Sequence, residues 1–360
     1  MTAKIPAPKL PKVKDPDAPD TPPPPPKSQW EKILTYTPVV MTVVATLLAG
    51  LSNSELNAAQ YERAWAAQLQ SKIADQWNFF QVKRIRGSAL DNTLELLQSL
   101  SDAAPIEARA FGSALAALPA LAEASGATDG PLKAACERVA AVGSQPDFER
   151  VLQTLASGTG PVFTPRPIED GAIRAAIARI EGRAPLPEVA EAVMAVNPPA
   201  LEQALRTAEE NVAGFDAAIA PTNRAVESLR AALSQATAAA NAAVRAAPQG
   251  LGELPRRIDE LAADFTAGRL RYAARRYDQE ALLNKDIAQL TEINVRRSNL
   301  IADRHKARSQ LFFFGMIIAQ AAVIASTLAL ALKQKSLLWG LATAAGLVAV
   351  SFGVYVRFYV

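Results

Sequence analysis

The chemistry this chain offers is concentrated in one polar stretch, Asp75-Gln76-Trp77-Asn78-Phe79-Phe80-Gln81-Val82-Lys83-Arg84. On a helix, Trp77, Phe80 and Arg84 share one face, while Asp75, Phe79 and Lys83 or Arg86 line another. Two uses suit that pattern. Trp77 and Phe80 can pack against a second helix near Tyr277 and Leu283, with Gln81 hydrogen-bonding across. Alternatively, Trp77 stacks on a ligand or partner while Lys83 or Arg84 reads an anion. Asp75 and Lys83 are too far apart along one helix to pair directly. The candidate contact residues are therefore Trp77, Phe80, Gln81, Lys83, Arg84 and Tyr277.

A second group is basic: Arg296, Arg297, Arg304, Lys306 and Arg308 precede a long apolar run. Arginine and lysine beside a membrane span reach phosphate head groups, so Arg304, Lys306 and Arg308 are candidate lipid contacts. His305 inside this group reads as a surface residue.

Conventional catalytic sets are scarce. Cys136 is the only cysteine and His305 the only histidine, which excludes an intrachain disulfide and a CxxC redox or zinc site. A metal would need carboxylates alone. P-loop, GxGxxG, HExxH and GxSxG patterns are missing from the sequence. A formal net charge of +3 gives nucleic-acid binding no electrostatic footprint. No catalysis, cofactor or metal is expected.

The elements that position these residues are helical. Hydrophobic residues make up 50% of the chain but aromatics only 6%. The excess is alanine, the best helix former. Leu311 to Leu332 and Leu337 to Val356 are uncharged runs of about 20 residues, enough to cross a ~30 Å hydrocarbon core as helices. Lys333-Gln334-Lys335 joins them, so they form an antiparallel hairpin. Ile33 to Leu51 is a weaker third run and reads as an uncleaved anchor, with Trp30 and Tyr36 at interfacial positions. Residues 1–32 form a Pro/Lys-rich tail expected to be disordered, with Pro22 to Pro26 favouring polyproline II.

Between the spans, 54–101 reads as an outgoing stalk helix with Ser54 as N-cap and a kink at Gly87. Residues 102–199 read as an alanine-rich helical head. Residues 201–247 follow a 4-3 alternation, the period of coiled-coil packing, with Pro221 kinking or splitting the helix. Residues 255–310 return to the second span. Counting equal rises from the membrane sets Trp77 near Lys285 and Arg86 near Arg276. Inside the spans, Gln320 and the small pair Ala342 and Gly346 suit helix packing or association between copies. No span carries a charge in its middle, which disfavours a proton-coupled transporter.

The segment Asp75–Lys83 resembles the D-Q-W-x-[YF]-[YF]-Q-A-K signature of an uncharacterised bacterial family, domain of unknown function 4337, with Val82 where alanine is usual. Arg276-Tyr277-Asp278-Gln279-Glu280 resembles its second block. The resemblance covers about 33–101 and 268–356 and implies the topology of one span, polar helices and a hairpin. The longer middle, Asp102 to roughly Pro255, is outside it.

The sequence thus points to an all-α membrane protein: three transmembrane helices, a long antiparallel, coiled-coil-like stalk and a small helical head. The expected role is a scaffold in the bacterial inner membrane, with lipids and either a second copy or another protein as partners and no nucleic acid. Positive-inside counting conflicts with the basic group, and the soluble region is assigned to the periplasm. The alternative is small-solute or lipid handling in a groove between stalk helices near Trp77.

Overall fold

A computed structural model describes residues 29–100, 104–126, 130–158, 163–246, 251–332 and 337–360. The tail through Ser28, the Lys333/Lys335 turn and part of the 158–167 loop lie outside the described residues, as does the Trp30 side chain. The described residues hold nine helices and no strand: α1 Gln29–Leu100, α2 Ala108–Ala124, α3 Pro131–Gly143, α4 Phe148–Ser157, α5 Gly171–Glu181, α6 Leu186–Ala195, α7 Pro198–Ala246, α8 Leu254–Ala331 and α9 Leu337–Tyr359. Three of them, α1, α8 and α9, are long and apolar enough to cross a membrane.

Two expected boundaries are absent. Ser54 caps nothing, because α1 runs unbroken from the first apolar run into the polar stretch. Likewise α7 continues through Pro221. The missing N–H removes one hydrogen bond, and the surrounding turns keep the 49-residue helix from splitting there.

The chain divides into two units, Met1–Leu56 with Lys306–Val360, and Asn57–His305. In the first, the apolar parts of α1, α8 and α9 meet around Ala45, Leu48, Phe312, Ala319, Ala349 and Val356. Small residues set the spacing. A Cβ at Gly353 would stand 2.8 Å from Leu48 Cδ2, and one at Gly346 would collide with Met41. The Ala342/Gly346 face is therefore occupied within the chain. Ser52 and Ser309 donate reciprocally to each other's carbonyl at 2.9 and 2.8 Å. Thr42 and Thr46 donate to the carbonyl four residues back, which keeps hydroxyls satisfied in an apolar setting. The lipid-compatible outside is made of exposed Val39, Val43, Leu47, Ile324, Leu341 and Leu347.

In the second unit α8 is the central helix. Its Ile258, Leu261, Phe265, Ala274, Ala281, Leu290 and Ile293 are all buried, spread around more of the helix than a single stripe covers. It therefore has neighbours on several sides. On one, α1 runs antiparallel, with Leu94 against Ala267 and Leu270, and Ala66 and Leu69 against Val295. Gly87 permits the closest approach: a Cβ there would be 3.2 Å from Asp278 Oδ1 and 3.4 Å from the Ala274 carbonyl. It gives this close contact while α1 stays helical through it.

On another side lies α7, also antiparallel to α8. The expected 4-3 face is buried at Leu201, Ala208, Phe215, Ile219, Val226, Leu229, Leu233, Ala236 and Ala240. The alanine-rich part packs against α2, α3 and α4 around Leu115, Leu118, Cys136, Val139 and Leu155, together with the start of α8.

Residues 102–199 are not one head. The chain after α4 doubles back along α8: Phe163 packs on Phe215 and Leu283, and α5–α6 dock Ile173, Val189 and Val193 against Leu201, Ala204, Ile287 and Leu290. Asp170 starts α5 by accepting from Ala172 N and Ile173 N at 2.8 and 3.0 Å, an N-cap that satisfies two orphan donors. Two apolar surfaces separated along α7 and α8 require two helical clusters, and composition alone did not separate them.

Candidate functional site

The antiparallel pairing of α1 and α8 brings the two sequence blocks together. Lys83 Nζ bonds Glu280 Oε2. On the other carboxylate oxygen, Arg276 Nε sits 3.2 Å from Oε1, close enough for an ion pair though not aligned for a hydrogen bond. The Glu280 side chain is 10% exposed, against 27% for Lys83 and 21% for Arg276. Burial of one carboxylate between two cations is the arrangement that makes an enclosed charge tolerable. Tyr277 completes it, with Lys83 Nζ 5.2 Å and Arg276 Cζ 4.6 Å from its ring centroid, both within cation–π range.

The network continues to α7. Arg276 Nη1 and the Tyr272 hydroxyl both donate to Asn223 Oδ1, at 3.2 and 3.1 Å. Burial pushes the Tyr272 hydroxyl pKa up while Arg276 draws it down, so Tyr272 stays a neutral donor. Three helices thus share one polar tie, Lys83–Glu280–Arg276–Asn223–Tyr272. Asn223 stands in an ordinary stretch of α7, Pro221-Thr222-Asn223-Arg224, and only its position opposite Tyr272 and Arg276 gives it a role, which is why sequence spacing did not flag it.

Trp77 and Phe80 meet edge to face at 5.5 Å, and Arg84 lies over Phe80 at 5.9 Å, so these three do share a face. Gln81 is exposed. Lys83 and Tyr277 join the buried cluster, and Arg84 stays outside it. In the basic group, Arg296 pairs with Glu292 at 2.6 Å and Arg297 bonds the Val196 carbonyl at the end of α6. Those two are turned to the protein, whereas Arg304 and Lys306 are exposed and Arg308 is half-buried.

Beside the tie, a cavity of about 490 Å³ opens between α1, α7 and α8. Arg86, Arg269 and Arg276 line it together with Leu90, Val226 and Glu227. Arg86 and Arg276 face the same space, which agrees with their equal count from the spans. The cavity lies on the Arg86–Thr93 part of α1, about two and a half to four and a half turns beyond Trp77. Arg269 is held below the usual guanidinium range by burial and by Arg230, against Glu227. Nearer the α5–α6 cluster, burial raises the Asp286 carboxyl pKa, with Lys285 opposing and Glu181 adding to it.

No curated protein and no solved structure matches the chain. Residues 30–141 match the family model described as Domain of unknown function (DUF4337). That span takes in α1, α2 and most of α3, reaching further into the middle than the signature does, and it stops short of the second block at 276–280. Residues 30–141 are thus similar to the same family that the Asp75–Lys83 signature resembles.

Proposed function

We propose that this protein is a membrane-anchored helical scaffold of the bacterial inner membrane that assembles by pairing α1 with α1 of a second copy. The observation that carries the reading is a row of apolar side chains on α1, outside the spans and away from α8. Val82, Ile85, Leu96 and Leu100 are 42%, 68%, 59% and 79% exposed, and Ala89 and Asn92 between them are exposed too. The spacing 82, 85, 89, 92, 96 is the 3-4 alternation of a helix–helix seam. The opposite face of the same helix, at Gly87, Leu90 and Leu94, is the one occupied by α8.

A second copy is the occupant this geometry favours. Copies inserted in one bilayer share one orientation, so their α1 helices run parallel and like residues meet. The row extends ~27 Å at 1.5 Å per residue, long enough for a two-stranded contact. The small-residue face of α9 is filled by Met41 and Leu48, which leaves the soluble stretch of α1 as the place for association. The soluble unit is assigned to the periplasmic side, because long domains translocate largely regardless of charge. The role is structural, with no reaction assigned.

The test is a single cysteine at Ile85 in a Cys136→Ser background, oxidised in native membranes. A disulfide-linked dimer from Ile85→Cys, but not from Arg138→Cys on α3, is the expected result. Equal, low cross-linking at both positions would remove the basis for pairing through α1.

A further inference from the structure

The cavity between α1, α7 and α8 has a use that scaffolding does not need. Its wall carries three arginines, and their local counter-charge is already committed. Glu280 is shared between Lys83 and Arg276. Glu227, on the cavity wall, pairs with Arg230 at 3.1 Å. Neither Arg86 nor Arg269 pairs with a carboxylate among the described residues. Five cations (Lys83, Arg86, Arg230, Arg269, Arg276) thus face two carboxylates (Glu227, Glu280). The pair Arg275–Asp278 nearby adds one of each sign. The guanidinium groups of Arg269 and Arg276 are half-buried and that of Arg86 is exposed; in excess of carboxylates such groups repel one another and favour an anion between them.

The remaining lining is mixed: Leu90 on α1, Val226 on α7 and Ala273 on α8 give it an apolar part, beside Thr93, Tyr272 and Tyr277. At about 490 Å³ the space falls within the range of small-molecule sites. A bare ion would leave most of it unfilled. We propose that this cavity binds a soluble phosphomonoester. Its phosphate is held by Arg86, Arg269 and Arg276, and its organic body lies against Leu90 and Val226. Planar guanidinium forks match phosphate oxygens two at a time, which favours phosphate over a single carboxylate. All three long helices of the soluble unit contribute, so an occupied site ties α1 to α7 through the ligand as well as through α8. The proposal stands independently of pairing between copies, because the cavity is complete within one chain.

Phenyl phosphate is the probe, titrated into the full-length protein in detergent at fixed ionic strength while the melting temperature is followed. A saturable rise is expected, with inorganic phosphate giving a weaker response and phenol none. Arg269→Gln should raise the half-saturating concentration about tenfold or more, the cost of one lost charge-assisted pair. Arg86→Gln, at an exposed side chain that folding does not need, should do the same. Arg150→Gln, 83% exposed on α4, should behave as the parent. No saturable rise, an equal rise with phenol, or equal responses from Arg86→Gln and Arg150→Gln would overturn the proposal. Phosphatidic acid supplied in nanodiscs should leave the phenyl phosphate response unchanged. Loss of that response would assign the site to a lipid head group and overturn the soluble ligand.

Discussion

Replacing Glu280 by glutamine keeps its shape and removes its charge, leaving Lys83 and Arg276 against the same Tyr277 ring with nothing between them. Breaking a fully buried pair by deleting one partner costs about 3–5 kcal/mol. The Glu280 side chain is 10% exposed but Lys83 is 27% exposed, so water screens part of the repulsion and about 2 kcal/mol is the reasonable figure. For a folded unit of this size each kcal/mol moves the melting temperature by about 2–4 °C. Glu280→Gln should therefore melt about 4–8 °C below the parent, read by circular dichroism on full-length protein in detergent. Lys83→Met should cost less, because the methionine stem still packs and Glu280 keeps Arg276. The double variant should lie above the sum of the two losses, as contacting residues do not add. Two strictly additive losses, or a shift under 1 °C for Glu280→Gln, would refute the claim that this carboxylate ties α1 to α8.

Other expectations follow from single contacts. Asn211 holds the returning segment by accepting from Arg166 N and donating to Arg166 O, both at 3.0 Å. Asn211→Ala strands those groups at about 1–3 kcal/mol and should speed proteolysis between 163 and 170, and unchanged cleavage would deny the anchor. The raised Asp286 carboxyl means the folded state holds a proton that the unfolded state has released. Stability then falls as pH rises from the normal carboxylate value, near 4, through the raised one. Asp286→Asn should accordingly be more stable than the parent at pH 7, with the gap closing below pH ~4, and a gap that is constant with pH would contradict this. Cys136 is fully buried and burial pushes its thiol pKa up. It should resist maleimide in the folded protein and react on denaturation. Membrane sidedness is therefore better read from Glu137→Cys on a Cys136→Ser background, where labelling of intact cells by an impermeant reagent is expected.

Much of this architecture was legible because it rests on long-range periodicity. The three apolar runs, the 4-3 face of α7 and the α1–α8 register all follow from counting along regular helices, and Lys83 meets Glu280 where that counting sets them. Local signals misled where a long helix overrode them: Ser54 offers a good cap and Pro221 a good break, yet neighbouring turns carry α1 and α7 through both. The split of 102–199 into two clusters was hidden because α2–α4 and α5–α6 share one alanine-rich composition. Their partners, Leu233 and Ile258 for one and Leu201 and Leu290 for the other, are far away in sequence. The polar tie was half visible. Lys83 and Tyr277 were singled out, but Glu280 and Arg276 needed their neighbour across the helix pair, and Asn223 needed α7 placed.

The central claim, a scaffold that pairs through α1, is tested most directly by particle mass. Light scattering coupled to size exclusion, with the detergent contribution subtracted, should give a dimer for the parent chain. Val82→Glu/Ile85→Glu should give a monomer with an unchanged melting temperature, because both side chains face away from α8. A parent that stays monomeric at every concentration, or a charged variant that stays dimeric, would contradict the account.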